Sequence, residues 1–389
     1  MMNPIRIVRH LDWRVVFIVL ALVLFTWPYM RSASYRSDRG GQGHYTSSPQ
    51  KQLVWAAAGV AAALLLLVPG YRVLTQLSIF LYTGSLVLLV AVRLYGRVIN
   101  RATRWIDLGG GIQFQPSELA KIATLLLLAH VLSDRHKARR FGHIVGVFAI
   151  AAVPAGLIAI QPDLGTALIF IPMAAAMVYI AEARPRHLAT LALAAVLAMP
   201  LLWMGMKPGQ RDRVTVWLRQ GQEVTQAERV GRYHDRLQTT IAIGSGGWTG
   251  RGLGQGRQNR LNYIGFRNTD FIFAVICEEA GFLGAGIVIL GYLLFAAAGL
   301  DIAARCRERT GRLVAVGAVT LLVAQGMVNM GMATGILPIV GITLPFISYG
   351  GSSLVASFLA VSLILNVGLR RPRITFAREE LGVKEVPAQ

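Results

Sequence analysis

Residues 266–300 read FRNTDFIFAVICEEAGFLGAGIVILGYLLFAAAGL: a polar, basic approach gives way at Asp270 to a long apolar run. Roughly 20 apolar residues cross a hydrocarbon core, so 271–300 reads as a membrane span with length left over to tilt or protrude. Asp270 stands at its polar boundary, where partial desolvation penalises a charged carboxylate and raises its pKa. A raised pKa is also what a general base near neutral pH needs.

Working outward, the same texture recurs. The chain has 389 residues, 54% hydrophobic and 15% charged, with mean hydropathy +0.53. So few charges with so much aliphatic content exclude an ordinary soluble protein. Apolar runs near 13–30, 53–69, 73–92, 117–133, 144–161, 164–182, 188–206, 271–300, 313–332 and 352–369 mark the expected spans. The expected fold class is therefore an all-α polytopic membrane protein with about ten transmembrane helices. A large extracytoplasmic loop, 207–269, lies between helices seven and eight. Residues 1–373 form one membrane domain and 374–389 a cytoplasmic tail. Arg6, Arg9 and Arg14 precede the first run and no small-residue cleavage site follows it, so it reads as a retained helix. Cys277 and Cys306 lie far apart in this topology and imply neither a disulfide framework nor a metal motif.

Short basic loops set the orientation. Arg135, Lys137, Arg139 and Arg140, then Arg184 and Arg186, then Arg305, Arg307, Arg309 and Arg312, and finally Arg370, Arg371 and Arg373 share the side of the N-terminus. Both termini are thus expected in the cytoplasm, although Arg93, Arg97, Arg101 and Arg104 fall outside. The loop 207–269 is itself basic, which suits anionic membrane lipids or an anionic substrate at the outer surface. On that face the net charge of +20 does not point to nucleic acid.

Four polar clusters fall on the outer side. The first runs from Arg104-Trp105-Ile106-Asp107 through Gly109-Gly110-Gly111 to Gln115-Pro116-Ser117-Glu118-Leu119-Ala120-Lys121. Pro116 and Ser117 open a helix with Glu118 in its first turn. Glu118 and Lys121, three apart, share a face. They are either a structural ion pair or an oriented ammonium that grips phosphate. The second is Gln161-Pro162-Asp163-Leu164-Gly165-Thr166, where Asp163 either caps the next helix or faces a cavity shared with Asp270. The third, Ile241 to Trp248 followed by Gly250, Gly252, Gly254 and Gly256, allows an anion cradle or a flexible hinge, and no Gly-Lys-Ser/Thr ending makes it a P-loop. The fourth, Leu344-Pro345-Phe346-Ile347-Ser348-Tyr349-Gly350-Gly351-Ser352-Ser353, is irregular backbone at membrane depth, tolerated only against protein or a wet cavity. Gln325 and Asn329 put amides on the ninth span, suited to interhelical hydrogen bonds. A shared outward cavity explains the clusters together. The seven histidines do not cluster and no HExxH occurs, which disfavours triad hydrolases and zinc sites.

Read in order, these motifs, with Thr269-Asp270-Phe271-Ile272-Phe273-Ala274 among them, resemble the SEDS family (RodA, FtsW, SpoVE) from about residue 50 to 369. The wording leans to the RodA branch. The resemblance implies a ten-helix glycosyltransferase that polymerises lipid II into peptidoglycan strands at the outer face of the bacterial cytoplasmic (inner) membrane, with a class B penicillin-binding protein as partner. It carries the catalytic role to Asp270 and cavity positions to Lys121 and Asp163. Gln238 alone keeps its place upstream of Ile241, where Thr240 stands in for a common Lys. Ahead of Thr269, Gly265, Phe266, Arg267 and Asn268 replace the family's usual Pro-Glu-x-His.

The implied reaction turns an α-linked donor into a β-1,4 bond, which calls for one inverting displacement and one base. Asp270 is the expected base. Lys121, Arg104, Arg257 and Arg260 are expected to meet charge growing on the pyrophosphate. Glu118, Asp163, Gln238 and Ser348 complete the expected substrate-binding set. No cofactor is required, although a divalent cation (Mg or Mn) between Asp163 and Asp270 is an option. The alternatives are a lipid II flippase, which wants ionisable groups at mid-membrane or on both faces, and a non-catalytic scaffold for the penicillin-binding protein.

Overall fold

The computed structural model describes residues 10–37, 43–46, 48–99, 102–107, 109, 113–219 and 232–370. Outside them lie Arg6, Arg9, Arg101, Gly110 and Gly111, the loop residues 220–231, and Arg371, Arg373 and the expected tail 374–389. In chain order the elements are α1 (Trp13–Ala33), β1 (Tyr35–Ser37), β2 (Gly43–Tyr45), α2 (Ser48–Leu67), α3 (Tyr71–Gln76), α4 (Ser78–Tyr95), β3 (Arg97–Ile99), β4 (Ala102–Asp107) and β5 (Gln113–Phe114). Then come α5 (Pro116–Val131), α6 (Arg135–Ala138), α7 (Phe141–Ile160), α8 (Leu164–Ile180), α9 (Pro185–Gly205), α10 (Pro208–Leu218), α11 (Arg232–Gly246), α12 (Arg257–Arg260), α13 (Ile272–Ala304), α14 (Arg309–Thr334) and α15 (Gly351–Leu369).

Each of the ten expected spans is helical, with 73–92 divided at Leu77 between α3 and α4. Among the described residues α1, α2, α4, α7, α13, α14 and α15 are long and apolar enough to cross a membrane. The apolar α8 has 17 residues, α5 has 16 and starts polar, and α9 is the tenth. The chain is a multi-pass helical membrane protein. α14 and α15 are mostly buried at the centre, where Leu125, Ile169, Met173, Val314, Ala318, Leu363 and Ile364 interlock. Leu24, Leu65, Phe80, Leu94, Leu197 and Leu293, exposed on the outer helices, form the surface that lipid covers.

The basic loops gather at one end. Arg309 donates to the carbonyls of Leu132 (3.1 Å) and Ala181 (2.6 Å), Arg14 pairs with Asp301 at 2.6 Å, and Arg135 with Glu182 at 2.6 Å. The polar clusters gather at the other. There the all-α expectation acquires two small antiparallel additions, the hairpin β1–β2 and the three-stranded β3–β4–β5.

α13 is not one straight rod. Gly281 (φ 66, ψ −158) breaks it, and the glycine-rich stretch after α11 satisfies the backbone groups that the break frees. Arg251 and Gly252 N–H donate to the Glu278 and Glu279 carbonyls at 3.0 Å each, while Phe282 and Leu283 N–H donate to Gly247 (2.8 Å) and Trp248 (3.1 Å) carbonyls. A Cβ on Gly281 would lie 2.3 Å from Gly250 N. These glycines therefore serve close backbone packing, and neither the hinge nor the anion-cradle reading describes them.

Candidate active site

The turn that carries Asp270 is built by one carbonyl. Phe266 sits at φ 49, strained for a residue with a side chain, and its oxygen accepts from the N–H of Thr269 (3.0 Å), Asp270 (3.0 Å) and Phe271 (3.2 Å). Asn329, fully buried on α14, donates through Nδ2 to the carbonyls of Asp270 (2.8 Å) and Ile342 (2.6 Å). Gln325, one turn earlier, accepts from Lys121 Nζ at 2.7 Å and donates to the Thr343 carbonyl at 3.1 Å. Both amides brace irregular backbone around the site, which goes beyond plain helix-to-helix bonding. Ser348 is a brace too: its hydroxyl donates to the Thr269 carbonyl and accepts from Leu344 N–H at 2.7 Å.

A cavity of about 380 Å³ opens against this turn. Asp270 and Thr269 supply one wall, Arg104 and Trp105 of β4 another, Glu118 at the start of α5 and Asp163 at the start of α8 the others, with Trp55 from α2, Tyr349 from the approach to α15 and Ser353 from its first turn. Helix starts place these groups together, since Pro116 opens α5 and the Asp163 carboxylate caps α8 by accepting Thr166 N–H at 3.3 Å. Asp163 thus both caps and faces the cavity.

Charge is unevenly matched within it. Glu118 is held by Lys121 at 3.0 Å, both nearly buried. Asp163 lies 3.7 Å from Arg104 Nη1 and accepts from Gln115 Nε2 at 3.3 Å. Among the described residues no ion pair holds Asp270. Burial is the main cause that lifts its carboxyl to about 6. The Thr269 hydroxyl opposes that rise, the Asp163 charge adds to it, and Arg213 and Arg104 oppose it. By surface area Asp270 is only half-buried, because one side faces the cavity; the cavity is itself walled by protein, so desolvation still governs. A Cβ on Gly341 would stand 3.3 Å from Asp270 Oδ2, so that glycine keeps the carboxylate approachable.

Arg104, Glu118, Asp163 and Asp270 are therefore brought together. Other expected contacts are not. Lys121 is 2% exposed, pairs with Glu118 and donates to Gln325, and is not among the described residues that line the cavity. Ser348 lies behind the Asp270 turn. Gln238 on α11 and the exposed Arg257 and Arg260 on α12 are not among the described residues that line this cavity. The reason for the arginines is Glu278, fully buried on α13, which accepts Gln258 N–H (2.8 Å) and Asn259 N–H (3.2 Å) and seats α12 there. Glu279 beside it accepts from Ser32 (2.5 Å), Asn259 (2.9 Å) and Gly254 N–H (3.0 Å). Sequence reasoning passed over both, although adjacent carboxylates in an apolar run are themselves a signal. Trp55 carried no such signal inside its apolar helix.

Among the described residues, a bundle of apolar helices whose one end encloses a carboxylate-lined cavity defines a polytopic membrane protein with an internal polar site. The family model for FtsW, RodA and SpoVE, described as "Cell cycle protein", matches residues 10–372, and the chain belongs to that family. It is 32% identical over 367 residues to the peptidoglycan glycosyltransferase MrdB of Escherichia coli strain K12, covering 94% of this chain and 95% of that one. It is 34% identical over 325 residues to the stage V sporulation protein E of Bacillus subtilis, covering 82% and 86%. A solved structure described as "Structural coordination of polymerization and crosslinking by a peptidoglycan synthase complex" superposes with TM-score 0.74 at 32% identity, covering 92% of this chain and 97% of that one. The crystal structure of Thermus thermophilus rod shape determining protein RodA gives TM-score 0.68 at 32% identity over 93% and 98%.

Proposed function

We propose that this protein is a peptidoglycan glycosyltransferase that polymerises lipid II into β-1,4 glycan strands, with Asp270 as the general base. The observation that carries the assignment of the base is the charge pattern: Glu118 and Asp163 have cationic neighbours, and Asp270, raised to about 6, has none at bonding distance among the described residues. A carboxylate held this way is largely ionised at neutral pH yet basic enough to take a proton.

The step balances simply. An acceptor GlcNAc 4-hydroxyl attacks the donor's anomeric carbon, the new C–O bond forms as the bond to pyrophosphate breaks, and the hydroxyl proton passes to Asp270. Inversion follows from the single displacement. Negative charge grows on the departing undecaprenyl pyrophosphate, and Arg104, a cation in the cavity wall whose guanidinium also donates to the Gln161 and Pro162 carbonyls and faces Asp163, is the proposed group to meet it. Lys121 acts one layer back by fixing Glu118. Among the described residues no group of three or more His, Cys, Asp or Glu is spaced for a metal. A Mg or Mn ion remains an option: Asp163 and Asp270 would hold it, and it would share the pyrophosphate's charge. Unchanged activity in EDTA removes that option.

We place the cavity at the outer face of the cytoplasmic membrane with both termini inside, because the short arginine-rich loops gather at the opposite end. A class B penicillin-binding protein is the proposed partner, and the similarity to a peptidoglycan synthase complex supports it. The test uses purified protein, with and without that partner, given lipid II in detergent while moenomycin blocks the other transferase class. Detergent leaves no role for flipping, so glycan chains that require Asp270 support the enzyme. Chains absent under every condition return the reading to a flippase or a scaffold.

A further inference from the structure

The turn that presents Asp270 to one cavity has a second cavity on its other side. That cavity, about 500 Å³, is lined by Ser34, Thr46, Ser48, Asn262, Gly265, Phe266, Arg267 and Asn268 among others. Phe266, more than half exposed, is the residue lining both. The wall is thin: Asn268 lines the second cavity, and its carbonyl accepts the N–H of Tyr349, which lines the first, at 2.8 Å. The four residues at the positions of the family's Pro-Glu-x-His, Gly265 to Asn268, of which all but Arg267 depart from it, line this second space.

Its chemistry differs from that of the first. Among its described lining residues there is no carboxylate. The Arg267 guanidinium donates to the carbonyls of Ala33 (2.7 Å) and Tyr35. What faces the space is mainly neutral hydroxyl and amide: Thr46 and Ser48 hydroxyls lie 3.0 Å apart, and Asn268 Nδ2 reaches Ser48 Oγ at 3.5 Å. Hydroxyls and amides around one exposed aromatic ring suit a neutral sugar far better than a pyrophosphate. Phe266, at φ 49, carries that ring at the boundary of the two spaces.

The geometry points to a second subsite, between Ser48 and Phe266, that holds the neutral N-acetylated sugars of the donor strand while its anomeric end lies in the first cavity, where Asp270 takes the proton of the acceptor hydroxyl. This deepens the proposed polymerase function and rests on it. A neutral site beside a charged one lets the strand remain bound after the pyrophosphate leaves.

The probe is a lipid-free, unphosphorylated β-1,4 tetrasaccharide of N-acetylglucosamine, with binding to the full-length protein in detergent followed by saturation-transfer NMR. The subsite requires that the wild type and Asp270→Asn bind it alike, and that Ser48→Trp, which fills the second cavity, weakens binding by about tenfold or more. Asn268→Leu, which removes an amide without adding bulk, is the second variant and weakens it in the same direction. In the lipid II assay Ser48→Trp then makes shorter chains. Two results overturn the subsite: no saturable binding to the wild type, or binding indifferent to both Ser48→Trp and Asn268→Leu. Neither depends on catalysis, so a failure of Asp270 as base would show separately, as wild-type polymerisation by Asp270→Asn.

Discussion

The electrostatics of Asp270 make a prediction with a sign at each step. Its carboxyl is lifted from the ordinary value near 3.8 to about 6, chiefly by burial, which corresponds to about 3 kcal/mol against the ionised form. The ionised form is the base, so kcat/KM for polymerisation rises with pH through about 6 and levels off above it. About nine-tenths of the enzyme is competent at pH 7 and about one-tenth at pH 5, a near-tenfold loss of rate. Two substitutions then move the midpoint in opposite directions. Asp163→Asn removes a negative neighbour that raises the Asp270 pKa, so the midpoint falls. Arg104→Gln removes a positive neighbour that lowers it, so the midpoint rises. Both variants lower the rate itself, since both residues line the cavity, and the readout is therefore the midpoint. A pH profile flat from 5 to 8 refutes the reasoning, and so do midpoints that move the same way.

Two further outcomes follow from the supports of the site. Asn329→Leu strips two buried carbonyls, those of Asp270 and Ile342, of their donor. The cost is about 1–3 kcal/mol for each, and a shift of about 1 Å in Asp270 lowers kcat on the order of 100-fold; thermal unfolding in detergent and single-turnover rates report the two effects. Lys121→Met leaves Glu118 buried beside no cation and costs about 3–5 kcal/mol. Adding Glu118→Leu recovers part of that loss, whereas a mere surface pair would show neither effect in the melting curve.

Ten apolar runs were legible because lipid demands them, and every one is helical, though 73–92 is divided at Leu77. Caps were legible at Pro116 and Asp163 for the same kind of reason: local chemistry decides where a helix starts. The break in α13 was not. Gly281 alone does not announce it, and it exists because Gly246 to Gly252, distant in sequence, supply the missing hydrogen bonds. The site divided along the same line. Asp270, Asp163 and Glu118 stand at or beside helix starts that the sequence marked, and they meet in one cavity with Arg104, which lies within the unforeseen strand β4. Lys121 shares a face with Glu118 as its spacing requires, but spacing does not say whether that face meets a ligand or a neighbouring helix; Gln325 of α14 decides it. Arg257 and Arg260 were grouped with the site for their charge, and the carboxylate of Glu278 seats their helix elsewhere.

The central claim is that Asp270 takes the proton. Its most direct test is the single-turnover rate of glycan bond formation by Asp270→Asn, prepared with its partner and shown to melt at the wild-type temperature. Removing a positioned general base lowers the rate by about 10²–10⁴-fold while lipid II still binds. A folded Asp270→Asn protein that joins lipid II at the wild-type rate would contradict the account.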